Sequence, residues 1–134
     1  MVGKKWIFGL GFLGWILLIT VLSLVHFPED PVKGLEIPHL DKLVHFTFYF
    51  VASILACFYL KEAFGKQLGF NKILLISLLF AWFYGILIEV LQSTITTNRS
   101  GDMYDVWANC LGALIGVLLL KLWFSGKRAY RWKH

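Results

Sequence analysis

Residues 73–95 read ILLISLLFAWFYGILIEVLQSTI, an apolar run that carries a glutamate, Glu89, and a glutamine, Gln92, near its far end. About 20 predominantly apolar residues cross the hydrocarbon core of a bilayer as one helix. A carboxylate within such a helix costs on the order of several kcal/mol unless it is paired or neutral. The stretch therefore sets a condition: the helix must turn Glu89 away from lipid and toward partners on other helices. The spacing provides a face for this. Ser77, Ala81, Gly85, Glu89 and Gln92 recur at steps of three or four, which is one side of a helix.

Three similar runs flank it, at residues 6–25, 43–60 and 106–124. The 134-residue chain is 58% apolar and 16% charged, whereas soluble domains carry about a quarter charged residues. The polar segments between the runs are too short for a soluble domain, and there is no Gly/Ser linker. The predicted fold is all-α: a polytopic membrane protein, one domain over residues 1–134, built as a bundle of four transmembrane helices. Lys121 lies near the end of the last run, where a lysine snorkels to the interface. Lys4 and Lys5 precede the first run as in a signal peptide. Its apolar core is longer than a signal's and no A-x-A-like site follows, so a retained helix is expected.

Charge predicts orientation. With alternating helices, Lys4, Lys5, Lys61, Lys66, Lys72, Lys121, Lys127, Arg128, Arg131 and Lys133 share one side. Lys33, Lys42 and Arg99 are alone on the other. Lys/Arg-rich short segments stay cytoplasmic, so both termini are expected there, with residues 26–42 and 93–105 facing outward. Acids run the opposite way: Glu29, Asp30, Glu36, Asp41, Asp102 and Asp105 fall outside and Glu62 inside. The net charge of +5 is then a topology signal and gives no argument for nucleic acid. Tyr130 and Trp132, set among the basic residues of the tail, suit anionic headgroups. Trp6, Trp107 and Trp123 suit the interfaces. Cys57 and Cys110 lie at different depths and read as packing residues.

The other helices carry matching stripes. On the second it is Asp41, His45, Tyr49, Ala52 and Ala56; on the fourth, Asp105, Asn109, Gly112 and Gly116. Each stripe is small toward the cytoplasmic half and polar toward the outer half. Gly85, Gly112 and Gly116 are expected to let helix backbones approach closely. His45, Gln92, Asp105 and Asn109 reach the depth of Glu89, with Arg99 the nearest fixed positive charge, so His45 or Arg99 is the expected partner of Glu89. Asp41 and Asp105 read as helix N-caps, Lys42 as a contact for lipid phosphate, and Arg99 with Asp102 as a surface ion pair. The first helix, with Gly9, Gly11 and Gly14, is expected to pack closely and to support the bundle from outside the polar cluster.

Three stretches carry a resemblance. They are Asp41-Lys42-x-x-His45-Phe46, Gly85-x-x-x-Glu89-x-x-Gln92, and Arg99-x-x-Asp102-x-x-Asp105-x-x-x-Asn109-x-x-Gly112-x-x-x-Gly116. In this order, on successive helices, they resemble the VanZ-like family of small bacterial membrane proteins, over about residues 38–120. The resemblance implies a multi-pass protein of the bacterial plasma (inner) membrane. It also implies a phenotype class, since the founding member is associated with low-level teicoplanin resistance. The residues it carries over are Asp41, Lys42, His45, Glu89, Gln92, Arg99, Asp105 and Asn109.

Ionisable groups inside spans usually mark a pathway, a relay or a ligand site. Asp41, Lys42, His45, Glu89, Gln92, Arg99, Asp102, Asp105 and Asn109 are therefore the ligand-binding candidates. One reading is an outer-leaflet site for a lipid-linked envelope precursor or a glycopeptide, in which Arg99 holds an anion and the acids accept amines or hydroxyls. A second is an intramembrane hydrolase or transferase using His45, Glu89 and Asp105. The same three residues are also candidate metal ligands, although one histidine with two carboxylates is a loosely determined set. A third is a structural partner subunit locked by its polar cluster. Transport is a weaker fourth option, since the polar stripe stops short of the cytoplasmic half. No H-E-x-x-H, serine-nucleophile or Gly-rich phosphate motif is present, and no cofactor is expected.

Overall fold

The computed structural model describes residues 2–25, 39–95 and 102–125. These form four helices: α1 (Val2–Leu24), α2 (Leu40–Phe64), α3 (Phe70–Ile95) and α4 (Met103–Trp123). Among the described residues there is no strand. All four helices are long and apolar enough to cross a membrane. The 25 residues of α2 rise about 37 Å at 1.5 Å each, against a hydrocarbon core of about 30 Å.

Every helix starts before the apolar run that predicts it. The extra turns carry interfacial residues such as Asp41 and Lys42 in α2 and Tyr104 and Asp105 in α4. These residues bond to one another at the helix ends, so the helix continues past the point where hydropathy falls. This also corrects the capping assignment. Asp41 and Asp105 lie within first turns. The N-cap of α4 is Asp102, whose carboxylate accepts from the Tyr104 amide at 3.0 Å. The residue before α2 is His39, at φ 64, with no side-chain cap.

Residue pairings give the topology. His45 meets Asn109 and Phe46 meets Gly112, while Ser53 lies against Gly116, so α2 and α4 run parallel. His45 meets Glu89 and Tyr49 meets Gly85, so α2 and α3 are antiparallel. Trp15 Nε1 donates to the Phe48 carbonyl and Gly9 touches Tyr59, so α1 and α2 are antiparallel.

The closest packing is between α2 and α4. A Cβ on Gly112 would collide with the Phe46 carbonyl, and one on Gly116 would lie 2.8 Å from the Phe50 carbonyl oxygen. Only residues without a side chain allow backbones this near. In α1, Gly9 does pack closely, 3.3 Å from the Tyr59 ring by the same measure, whereas Gly11 and Gly14 face open space. The expectation of close packing holds for the first of these three glycines and fails for the other two.

The interior has two layers of apolar packing. Ile19, Tyr49, Ala52, Ala81 and Ala113 form one; Cys57, Ile73, Leu74, Val117 and Leu120 form the other. Leu13, Leu17, Phe83 and Leu122 are exposed, with many others like them. An apolar exterior of this extent marks a surface made for lipid. Both cysteines are free, Cys57 buried in the second layer and Cys110 half-buried on α4.

Candidate functional site

The polar residues meet where the C-terminal half of α3 faces the N-terminal halves of α2 and α4. Glu89 is 4% exposed, so it is turned from lipid as the opening stretch requires. Its Oε1 lies 3.3 Å from His45 Nδ1 and accepts from Asn109 Nδ2 at 3.2 Å. His45 Nδ1 is 3.2 Å from Asn109 Oδ1. Three helices thus converge on one triangle of imidazole, amide and carboxylate. The other ring nitrogen, His45 Nε2, is 3.9 Å from Asp105 Oδ2.

Lys42 continues the cluster outward. Its Nζ is 3.1 Å from Asp102, 3.2 Å from Asp41 and 3.5 Å from Asp105. Lys42 therefore bridges α2 to the start of α4. Asp102 is paired with Lys42 and caps α4, a double role that the sequence alone does not indicate. The Tyr104 amide, and after it the Lys42 ammonium, hold the Asp102 carboxyl below the usual carboxylate range.

Side-chain exposure falls stepwise along this chain of contacts, from 55% at Asp41 and 39% at Asp102 to 27% at Lys42, 13% at Asp105 and 5% at Glu89. The cluster is thus a graded path from the surface at the α2 and α4 N-termini to a carboxylate in the bundle interior. Four carboxylates meet one lysine and one histidine among the described residues, which favours ligands bearing positive charge or hydroxyl donors. At the inner end, Glu89 Oε2 is buried with no hydrogen-bond partner among the described residues, and so is the Tyr49 hydroxyl. Gly85 makes room for the Tyr49 ring: a Cβ there would lie 3.1 Å from it.

The structure brings Asp41, Lys42, His45, Glu89, Asp102, Asp105 and Asn109 into one connected set. Gln92 is buried as well, but its Nε2 donates to the Ser23 carbonyl of α1 at 3.1 Å. Arg99 lies outside the described residues, as do the basic tail with Tyr130 and Trp132 and the acids of segment 26–38. The first helix is more involved than expected. Besides Ser23, the Thr20 and Tyr84 hydroxyls lie within hydrogen-bond distance of each other and, at 2.8 and 3.1 Å, of the Ile16 carbonyl, where their two protons are shared among the three contacts. Trp82 Nε1 donates to the Cys110 carbonyl at 3.1 Å. The sequence does hold a signal for these contacts, because a buried tyrosine or tryptophan usually finds a partner for its polar tip.

The fold and the cluster define a class: a small multi-pass α-helical membrane protein with an ionisable network buried between three of its helices. Within that class the chain belongs to the VanZ/LLP1 family, whose model matches residues 6–124. The match extends through α1, well beyond the motif-bearing region of about residues 38–120. No curated protein and no solved structure matches the chain.

Proposed function

We propose that the polar cluster is a binding site opening to the outer leaflet, that it engages a lipid-linked envelope precursor or a glycopeptide, and that it contributes in this way to tolerance of teicoplanin-type drugs. The observation that carries the reading is the graded path from Asp41 to Glu89. A purely structural lock has no need of a chain of charges running from a buried carboxylate to the surface. The outward orientation is supported by the distribution of lysine and arginine, since segments rich in them stay cytoplasmic and this end of the bundle is poor in them. Amines and hydroxyls of a cell-wall peptide, sugar or glycopeptide match the carboxylates.

The test is susceptibility to teicoplanin and vancomycin in a sensitive host. Wild type, Glu89→Gln and Asp105→Asn are compared with membrane abundance measured for each. The expected result is raised teicoplanin tolerance in the wild type and none in the variants at equal abundance. Equal tolerance in all three would refute a role for the cluster.

One observation favours a second reading. His45 has a carboxylate near each ring nitrogen, Glu89 at 3.3 Å and Asp105 at 3.9 Å. That is an arrangement for general acid–base work on a lipid-linked substrate. It predicts turnover by the purified protein that is lost in Glu89→Gln while the fold is retained.

A further inference from the structure

Hydrogen-bond logic inside the cluster leads beyond an organic ligand. Asn109 Nδ2 donates to Glu89 Oε1, which turns the amide oxygen toward His45 Nδ1 at 3.2 Å. An amide oxygen only accepts, so Nδ1 carries the hydrogen, and a neutral imidazole then presents a lone pair at Nε2. That lone pair faces Asp105 Oδ2 at 3.9 Å. Two acceptors oppose each other at a separation too long for a hydrogen bond. It is close to the separation of two ligands on one cation: metal–ligand distances of about 2.1 Å place tetrahedral neighbours about 3.4 Å apart.

Two further atoms point the same way. Glu89 Oε2 is buried with no hydrogen-bond partner among the described residues, and the Glu89 side chain is 5% exposed. Asp105 Oδ1 has no hydrogen-bond partner among the described residues and lies 3.5 Å from Lys42 Nζ. One donor atom each from His45, Glu89 and Asp105 can be chosen so that all three lie within 4.8 Å of one another.

We infer that His45, Glu89 and Asp105 form a binding site for a divalent cation of the zinc or manganese kind. One imidazole with two carboxylates is a donor set shared by those ions. The cation would take one donor atom from each of the three residues, a set whose members lie within 4.8 Å of one another. Drawing donors now up to 4.8 Å apart to the tetrahedral spacing of about 3.4 Å takes side-chain rotation, for which Asp105, the most exposed of the three, has the most room. Asn109 then acts on the ligand histidine from behind, accepting its other N–H, the usual arrangement around metal-bound histidines. Three protein donors leave a fourth tetrahedral position open, and Lys42 lies beside one of the donors, Asp105, at 3.5 Å. A phosphate- or carboxylate-bearing ligand reaches the cation there, although bare carboxylates would repel it. The inference rests on the proposed binding role only in placing the cluster within reach of the outer aqueous phase.

The full chain, purified in detergent and stripped with chelator, is dialysed against Zn²⁺ and, separately, Mn²⁺. Bound metal is read by elemental analysis and helicity is checked in parallel. Wild type should retain one equivalent of at least one of the two ions. Asp105→Asn should weaken binding at least tenfold with helicity unchanged, and His45→Gln should abolish it. His39→Gln, altering an exposed histidine outside the cluster, should bind as wild type does. Wild type that retains neither ion overturns the inference. Equal retention in Asp105→Asn and His45→Gln, or loss in His39→Gln, overturns it as adventitious binding. The two proposals fail separately. Metal binding without any effect on teicoplanin tolerance sinks the binding role and keeps the cation site; tolerance in a metal-free protein does the reverse.

Discussion

Gly112→Ala tests the link between helix packing and the polar cluster. The added methyl would lie 2.9 Å from the Phe46 carbonyl carbon and 3.1 Å from its Cα, and closer still to the carbonyl oxygen. These are backbone atoms, so no rotamer change relieves the clash and α2 must move from α4. Overpacking of this kind costs about 1–3 kcal/mol, and a backbone obstacle belongs at the top of that range. Replacing glycine by alanine within a helix returns up to about 1 kcal/mol. The expected net loss is about 2 kcal/mol, or roughly thirtyfold in the folding equilibrium. The same displacement reaches the cluster, since Phe46 adjoins His45 and Gly112 lies three residues from Asn109. The His45–Asn109 contact is already 3.2 Å, near the long end for a hydrogen bond, and an ångström more breaks it. Reversible unfolding in mixed micelles, followed by circular dichroism, measures the stability. Gly14→Ala is the control, because a Cβ there meets nothing within 4 Å. If Gly112→Ala were as stable as Gly14→Ala, the proposed contact between α2 and α4 would be wrong.

Other outcomes follow from single contacts. Asn109→Leu removes the bonds to Glu89 and His45 and strands both inside the bundle, so a loss of about 2–4 kcal/mol is expected in the same unfolding assay; a neutral result would mean the amide bridge is absent. Trp15→Phe keeps the ring contact with Phe48 but loses the indole bond to its carbonyl, and should cost only about 0.6 kcal/mol. Asp102 has a lowered pKa in the folded state, so its contribution is complete above the ordinary carboxylate value of about 3.9. It is lost as pH falls through the lowered value. Hydrogen exchange at the Tyr104 amide should accelerate across that acid window in wild type, and Asp102→Asn should remove this pH dependence.

Much of the architecture was legible because two simple patterns coincide. Apolar runs of span length give the number of helices, and steps of three or four pick out the faces that turn inward. Glu89 shows this best: its burial follows from the cost of a carboxylate in lipid, and its neighbours on the same face, Gly85 and Gln92, are buried with it. What pattern could not supply was direction within a face. Gln92 shares a side with Glu89 yet bonds to α1 while Glu89 meets α2, and no periodicity separates the two. Lys42 looked like a lipid contact until three aspartates proved to surround it, one from its own helix and two from the start of α4. The capping role of Asp102 was hidden for a related reason. The helix begins where a backbone amide finds an acceptor, and this precedes the rise in hydropathy.

Four of the bonds that fasten α1 and α3 to their neighbours share a trait with consequences for how the sequence can drift. Trp15, Tyr84, Trp82 and Gln92 each donate to a main-chain carbonyl, at Phe48, Ile16, Cys110 and Ser23 respectively. A carbonyl is present whichever residue occupies the accepting position. The hydrogen bond itself therefore places no demand on the side chain at those four sites, while the donors are constrained by chemistry. Tolerance to substitution is therefore one-sided at each contact. A saturation library should recover many residues on the accepting side and few on the donating side, even though both sides of each bond lie in the same membrane.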